Sequence, residues 1–155
     1  MMAFLEQRLF APNYLATTAT GIFALTLFSQ ALAVSRERAR TGARGFAPAL
    51  DEKGTTTPLF RLQRAHGNTA EYAPTILLLL FGLERRLAGP GVPDALRHIA
   101  KPIMVTLVVS RLATSLIHSL AAVAPQARVG PYLKASVLTM YATGFASALM
   151  AIYLG

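Results

Sequence analysis

The sequence predicts an all-α fold, an integral membrane four-helix bundle, on three observations. Its 155 residues are 54% hydrophobic and only 14% charged, where a soluble domain carries about 25% charged residues. Its mean hydropathy is +0.46. The apolar residues also gather into four segments, each near the roughly 20 residues that a helix needs to cross about 30 Å of hydrocarbon. A single membrane domain over 1–155 is expected, with spans at about 14–35, 58–83, 102–123 and 131–154 and no room for a separate soluble domain.

The first segment, YLATTATGIFALTLFSQALAVS, is uncharged throughout. Ala31-Leu32-Ala33 resembles a signal-peptidase site, but the apolar run is too long for a signal peptide and Glu6 interrupts a basic leader. A span is the expectation. The second segment opens at Thr57-Pro58, an N-cap followed by proline at the first helical position, and runs to about Leu83, before Glu84-Arg85-Arg86. Its first half is polar. The third, from about Pro102 to Val123, carries Arg111 and His118 and follows a short amphipathic stretch, DALRHIAK. The fourth is uncharged from Ala135 to its end, and its small residues Ala142, Gly144 and Ala148 permit close helix approach, which suits oligomerisation. Between the segments lie TGARGFAPALDEKGTTTP, AGPGVPD and APQARVGP, all rich in turn residues.

The formal charge is +8, from 15 Lys and Arg against 7 Asp and Glu. The basic residues sit beside apolar runs, so membrane lipid headgroups or an acidic ligand explain them and no nucleic-acid partner is expected. Arg36, Arg38, Arg40, Arg44, Lys53, Arg61 and Arg64 flank or fill the first loop, and Arg128 and Lys134 the third. That bias places both loops in the cytoplasm, weakly, because Arg85, Arg86, Arg97 and Lys101 lie on the other side. With no cysteine there is no disulfide and no thiolate-metal site, and no metal is expected.

At about 100° per residue, Arg64, Asn68 and Glu71 fall at roughly 0°, 40° and −20° on a helical wheel, with Arg61 near 60° and Tyr72 near 80°. They share one face. Ionisable groups at membrane depth are costly unless they meet a bundle interior, a wet cavity or a neighbouring subunit. The alternative is an Arg64–Glu71 network that only fixes packing, with Asn68 bonding across helices. His66 lies off this face, near 200°, where a packing or interfacial role is the simpler one. Pro74 cannot donate to the carbonyl of Ala70, so a kink that widens a cleft and a merely tolerated proline both fit. On the third helix, Ser115, His118 and Thr114 fall at roughly 40°, −20° and −60° from Arg111, a second polar face suited to meet the first. Arg128 stands just before Gly130-Pro131, where its guanidinium and the start of the last helix could attract an anion; a headgroup-facing cation is the alternative.

The stretch from Arg64 to Pro74, RAHGNTAEYAP, resembles the second-helix signature of the MAPEG family, the membrane-associated proteins in eicosanoid and glutathione metabolism, in its bacterial form. Four spans and the chain length are similar too. The resemblance implies a homotrimer in a bacterial inner membrane that binds glutathione in clefts between subunits near the cytoplasmic face. The family's glutathione-binding positions map to Arg64, His66, Asn68, Glu71, Tyr72 and Arg111, with His118 where some members have tyrosine. The thiolate-stabilising arginine maps to Arg128, although loop spacing before it differs among members. Glutathione has two carboxylates and an α-ammonium, which arginines and Glu71 can pair with, and an amide for Asn68.

The resemblance thus implies a glutathione transferase, a glutathione-dependent peroxidase, or both, in a detoxification role. A guanidinium beside the sulfur would lower a thiol pKa from about 8.5, and the thiolate would attack a lipophilic small-molecule substrate arriving from the bilayer. A non-catalytic lipid- or glutathione-binding membrane protein, or a small transporter using Arg111 and Glu71, are the competing functions.

Overall fold

The computed structural model of the chain describes residues 14–46, 48, 56–123 and 130–154. They form four helices: α1, Tyr14–Thr41; α2, Pro58–Leu87; α3, Asp94–Val123; and α4, Gly130–Tyr153. Each is antiparallel to the next. Glu84, late in α2, meets Leu15 and Ala16 at the start of α1; Arg61 reaches Ala121 at the far end of α3; and Thr114 of α3 meets Ser136, early in α4. The most extensive packing is α3 on α4, then α1 and α3 on either side of α2, with α4 also touching α2.

Local chemistry sets the helix ends. Thr57 caps α2: its hydroxyl accepts from the Phe60 amide at 3.2 Å and donates to the Pro48 carbonyl at 2.9 Å, and Pro58 takes the first helical turn. The helix continues past the predicted apolar run, to Leu87, because Glu84 is buried against α1 and Arg86 donates to the Leu154 carbonyl at 2.7 Å. Both charged groups have partners, so neither has to end the helix. The turn to α3 uses Gly91 at φ 83°, a left-handed conformation that glycine adopts without steric cost. The amphipathic stretch from Asp94 is continuous with the apolar part of α3, which runs through Pro102 as one helix.

The buried stripe of α2 (Leu62, Ala65, Thr69, Ala73, Ile76, Leu80, Leu83 and Leu87) steps by three and four residues, one face of a helix. It divides the interior into three layers. The larger apolar core joins Ala16, Ala19 and Phe23 of α1 to Ile76 and Leu80 of α2 and Met104 and Leu107 of α3. A smaller one joins Val34 to Leu59 and Leu62. Between them lies a buried polar layer of Gln30, Thr69, Arg111, Thr114 and Ser115. Outside, Leu25, Phe28, Leu78, Phe145, Leu149 and Ile152 are exposed, the reverse of a water-facing surface. Three helical stretches, Tyr14–Thr41, Asp94–Ala121 and Gly130–Tyr153, are long and apolar enough to cross a membrane.

Candidate functional site: a buried arginine beside an open polar face

Arg111 is the centre of the polar layer, with only 2% of its surface exposed. Its Nη2 donates to the Thr69 hydroxyl at 3.3 Å, and its Nη1 points at the Met140 sulfur at 3.9 Å, a weak acceptor. Its Nε has no partner. The guanidinium lies 5.1 Å from the centroid of the Tyr72 ring, a cation–π contact. No carboxylate pairs with it, since the ion pairs among the described residues are Glu37–Arg40 and Asp94–Arg97, both local and both distant in sequence from this layer. A charge this far from water ordinarily has a counter-ion.

Hydroxyl groups hold the arginine in place. Thr69 donates to the Ala65 carbonyl at 3.0 Å, so the 2.9 Å contact between Thr69 and Ser115 is made by the Ser115 proton, and the Thr69 oxygen also accepts from Arg111. Thr114 donates to the Ser110 carbonyl at 2.8 Å and lies 3.0 Å from the Ser136 hydroxyl, tying this face of α3 to α4. Thus the polar face predicted on α3 exists. Its partner on α2 is Thr69 and Tyr72, not the charged residues.

Arg64, Asn68 and Glu71 do share a face, and it turns away from the protomer's own core. Arg64 and Glu71 are exposed and Asn68 is half-buried. Among the described residues these three make no hydrogen bond or ion pair, with each other or with anything else, so the packing network is not formed. Glu71 is within electrostatic reach of Arg111 and Tyr72 without bonding either. Arg61, on the same face, is committed to the Ala121 carbonyl at 2.9 Å. His66 is half-buried on α2, off the charged face. His118 is half-buried, with Nδ1 2.9 Å from the Thr114 carbonyl; a carbonyl only accepts, so Nδ1 carries a proton and Nε2 is left for another partner. Arg128 lies outside the described residues.

Tyr72 closes one end of this arrangement with a residue that the wheel did not single out. Its hydroxyl is 3.0 Å from that of Tyr141 on α4, and the two rings meet edge to face at 6.4 Å and 78°. Beyond the pair, a cavity of about 230 Å³ is lined by Ile76 and Leu79 of α2, Leu107 of α3 and Gly144, Phe145 and Ala148 of α4. Its walls are hydrocarbon apart from Thr75, Met140 and the tyrosines. Gly144 faces Leu107 within the protomer, where an added Cβ would stand 3.7 Å from Leu107 Cδ1. That small residue therefore serves α3–α4 packing. Thr69 was legible in principle as the one hydroxyl in the buried stripe of α2; Tyr141 carried no signal apart from being aromatic in an apolar run.

Apolar helices with hydrocarbon on the outside, and a buried cation next to an open charged face, define a helical integral membrane protein with a polar site at membrane depth. The MAPEG family model matches residues 15–149, and the chain belongs to that family, whose membrane proteins serve eicosanoid and glutathione metabolism. No curated protein and no solved structure matches the chain.

Proposed function

We propose that the protein is a membrane-embedded glutathione-binding enzyme, a glutathione transferase or glutathione-dependent peroxidase that acts on lipophilic electrophiles. The observation that carries this is Arg111: a guanidinium held by neutral contacts alone, to Thr69, Met140 and the Tyr72 ring, with Nε unpartnered and no carboxylate paired to it. Such a site is incomplete without an anion. Arg64 and Glu71, unpaired and of opposite sign on the adjoining face, ask for a ligand that carries both charges. Glutathione meets that description, and family membership independently favours it.

In this proposal Arg64 and Arg111 take the ligand's carboxylates, Glu71 its α-ammonium and Asn68 an amide, while Tyr72, His66 and His118 contact it from the flanks. The bound tripeptide supplies the thiol, and Arg128 holds its thiolate form. In transfer, a sulfur–carbon bond forms as the electrophile's leaving group departs; in peroxide reduction, sulfur is oxidised as an oxygen–oxygen bond breaks. The exposed charges on α2 suit burial against a second copy, so the active form is a homotrimer with the cleft between neighbours. The four helices act as four spans of one domain in a bacterial inner membrane, with the first and third loops cytoplasmic.

Titration of the purified protein with glutathione, followed by turnover assays, tests the proposal. Wild type should bind at millimolar or lower concentration, Glu71→Gln should bind more weakly, and Arg128→Ala should lose turnover while keeping most of its affinity. Absence of binding by wild type would refute it. The apolar cavity beside Tyr72 also suits a non-catalytic lipid-binding protein, for which no variant would have turnover to lose.

A further inference from the structure

The proposed reaction leaves one step without an agent. A thiol must lose its proton before sulfur attacks, and an arginine can stabilise the thiolate but cannot accept that proton. The chain has no cysteine and three histidines. Among the described carboxylates, Glu37 and Asp94 pair with Arg40 and Arg97, and Glu84 is bonded to the first amides of α1 at the opposite end of the bundle. Glu71 is assigned to the ligand's ammonium. Of the histidines, His98 stands near the start of α3, at that same far end, and His66 lies off the charged face of α2. His118 remains.

Two contacts fix its level in the bundle. Thr69 meets Ser115 and Arg61 meets Ala121, so His118 stands opposite the stretch of α2 between Thr69 and Arg61, which carries Arg64 and Asn68. On α3 it lies within about 20° of Arg111 and two turns, about 10 Å, nearer the end of the helix. Arg111 reaches both Thr69 of α2 and Met140 of α4, so His118 is on the α2–α4 side as well. Its Nδ1 donates to the Thr114 carbonyl at 2.9 Å, which draws the ring back toward Arg111. In the neutral ring the lone pair is then on Nε2. That atom makes no bond among the described residues, and unlike Arg111 Nε it is not buried.

We propose that His118 is a catalytic base, whose Nε2 takes the thiol proton of glutathione; the assignment rests on the glutathione-binding function proposed above. The thiol of glutathione is on its middle residue, between the two ends that bear carboxylates. With those ends on Arg64 and Arg111, the thiol falls between their levels, where Nε2 stands. As the S–H bond breaks, its electron pair stays on sulfur and the imidazole becomes imidazolium. In conjugation, sulfur bonds to carbon, the leaving group departs as an anion, and the imidazolium passes its proton to water. In peroxide reduction the proton goes to the alkoxide released from the oxygen–oxygen bond, giving an alcohol. The sulfenic acid of glutathione then reacts with a second glutathione to give the disulfide and water.

The test uses the full chain in detergent micelles at saturating glutathione, which removes any difference in affinity, and follows the ultraviolet absorbance of the thiolate by stopped flow. His118→Ala should slow thiolate formation about 100-fold, the scale of general base catalysis. Added imidazole should restore the rate, and substituted imidazoles should restore it more as their basicity rises, a dependence that loss of a structural contact does not produce. His118→Gln keeps a donor for the Thr114 carbonyl but has no base, so it should be as slow and, with the space filled, should not be rescued. A wild-type rate in either variant, or a slow alanine variant that no added base rescues, overturns the proposal. The glutamine variant decides alone where the alanine variant does not fold. Failure of wild type to bind glutathione refutes the function beneath the proposal, whereas binding with unaffected thiolate formation in the variants refutes the base alone.

Discussion

Glu84 reads in the sequence as the charge that ends a span, and the structure gives it a different task. Its two carboxylate oxygens each accept from an amide at the start of α1, Oε1 from Leu15 and Oε2 from Ala16, both at 3.0 Å. The first amides of a helix have no intrahelical acceptor and carry the positive end of its dipole. An acidic group from another helix therefore caps α1 and fixes its height against α2. Glu84→Ala leaves both amides without this acceptor in a site where the Glu84 side chain is 5% exposed. Hydrogen bonds to a charged group contribute about 1.5–3 kcal/mol each, and removing the carboxylate recovers part of its desolvation cost, which leaves a net loss of about 2–4 kcal/mol. Glu84→Gln keeps one acceptor and turns an NH2 toward the other amide, so it should lose about 1–2 kcal/mol. Denaturant unfolding in micelles, followed by helical circular dichroism, measures the stability. Amide hydrogen exchange locates it, since Leu15 and Ala16 should lose protection before any other part of α1. An alanine variant within 0.5 kcal/mol of wild type, or unchanged exchange at those two amides, would refute the capping role.

Thr69→Val keeps the shape and removes the hydroxyl that accepts from Arg111 and meets Ser115, so unfolding should show a loss of about 1–3 kcal/mol, and a loss below 0.5 would contradict the role of Thr69 as the arginine's anchor. Tyr72→Phe and Tyr141→Phe should couple by about 0.5–1.5 kcal/mol in a double-mutant cycle, because either change alone breaks the one bond they share; strict additivity would show that the bond contributes nothing. For glutathione, Arg111→Leu should weaken binding at least about tenfold and Arg111→Lys should not restore it, since a point charge cannot reproduce the planar fork that meets Thr69 and a carboxylate together; full affinity in the lysine variant would remove Arg111 from the site. Gly144→Ala should be neutral or stabilising by up to about 1 kcal/mol, as helix propensity improves and the new Cβ makes ordinary contact with Leu107; a clear loss in the unfolding assay would count against that packing.

What was legible in the sequence follows from what periodicity encodes. Four helices could be read because apolar segments and turn residues alternate, and Thr57-Pro58 marked the start of α2 because a cap and a first-turn proline are local chemistry. The common face of Arg64, Asn68 and Glu71 could be read for the same reason. Its partner could not, because a wheel orders residues around one axis and says nothing about which neighbour each direction meets. Arg111 stood out as an ion inside an apolar run, yet the group that receives it is Thr69, an unremarkable hydroxyl on the wrong side of that wheel. Glu84 and Gln30 were hidden in another way. A charge next to Arg85 and Arg86 looks like the edge of a span, and an uncharged amide within LFSQALAV looks tolerated; only contacts across more than sixty residues of sequence show that both are buried and bonded.

The position of the polar layer bears on why the bundle has one. Arg111 destabilises the fold by its burial, and its contacts with Thr69, Met140 and the Tyr72 ring offset only part of that. If packing were its sole purpose, a leucine in contact with Met140 and Leu107 would serve better. The layer instead ends at the Tyr72–Tyr141 pair, and on the far side of that pair the apolar cavity begins. Charged and hydrocarbon environments thus meet across a single pair of rings, at a depth where exposed leucine and phenylalanine side chains line the outer surface. A reaction between a charged, water-soluble thiol and an electrophile dissolved in lipid needs such a boundary, because each reactant is insoluble in the other's medium. In the proposed function, the cost of burying Arg111 is the cost of bringing that boundary into the membrane, and a bound anion recovers it as binding free energy.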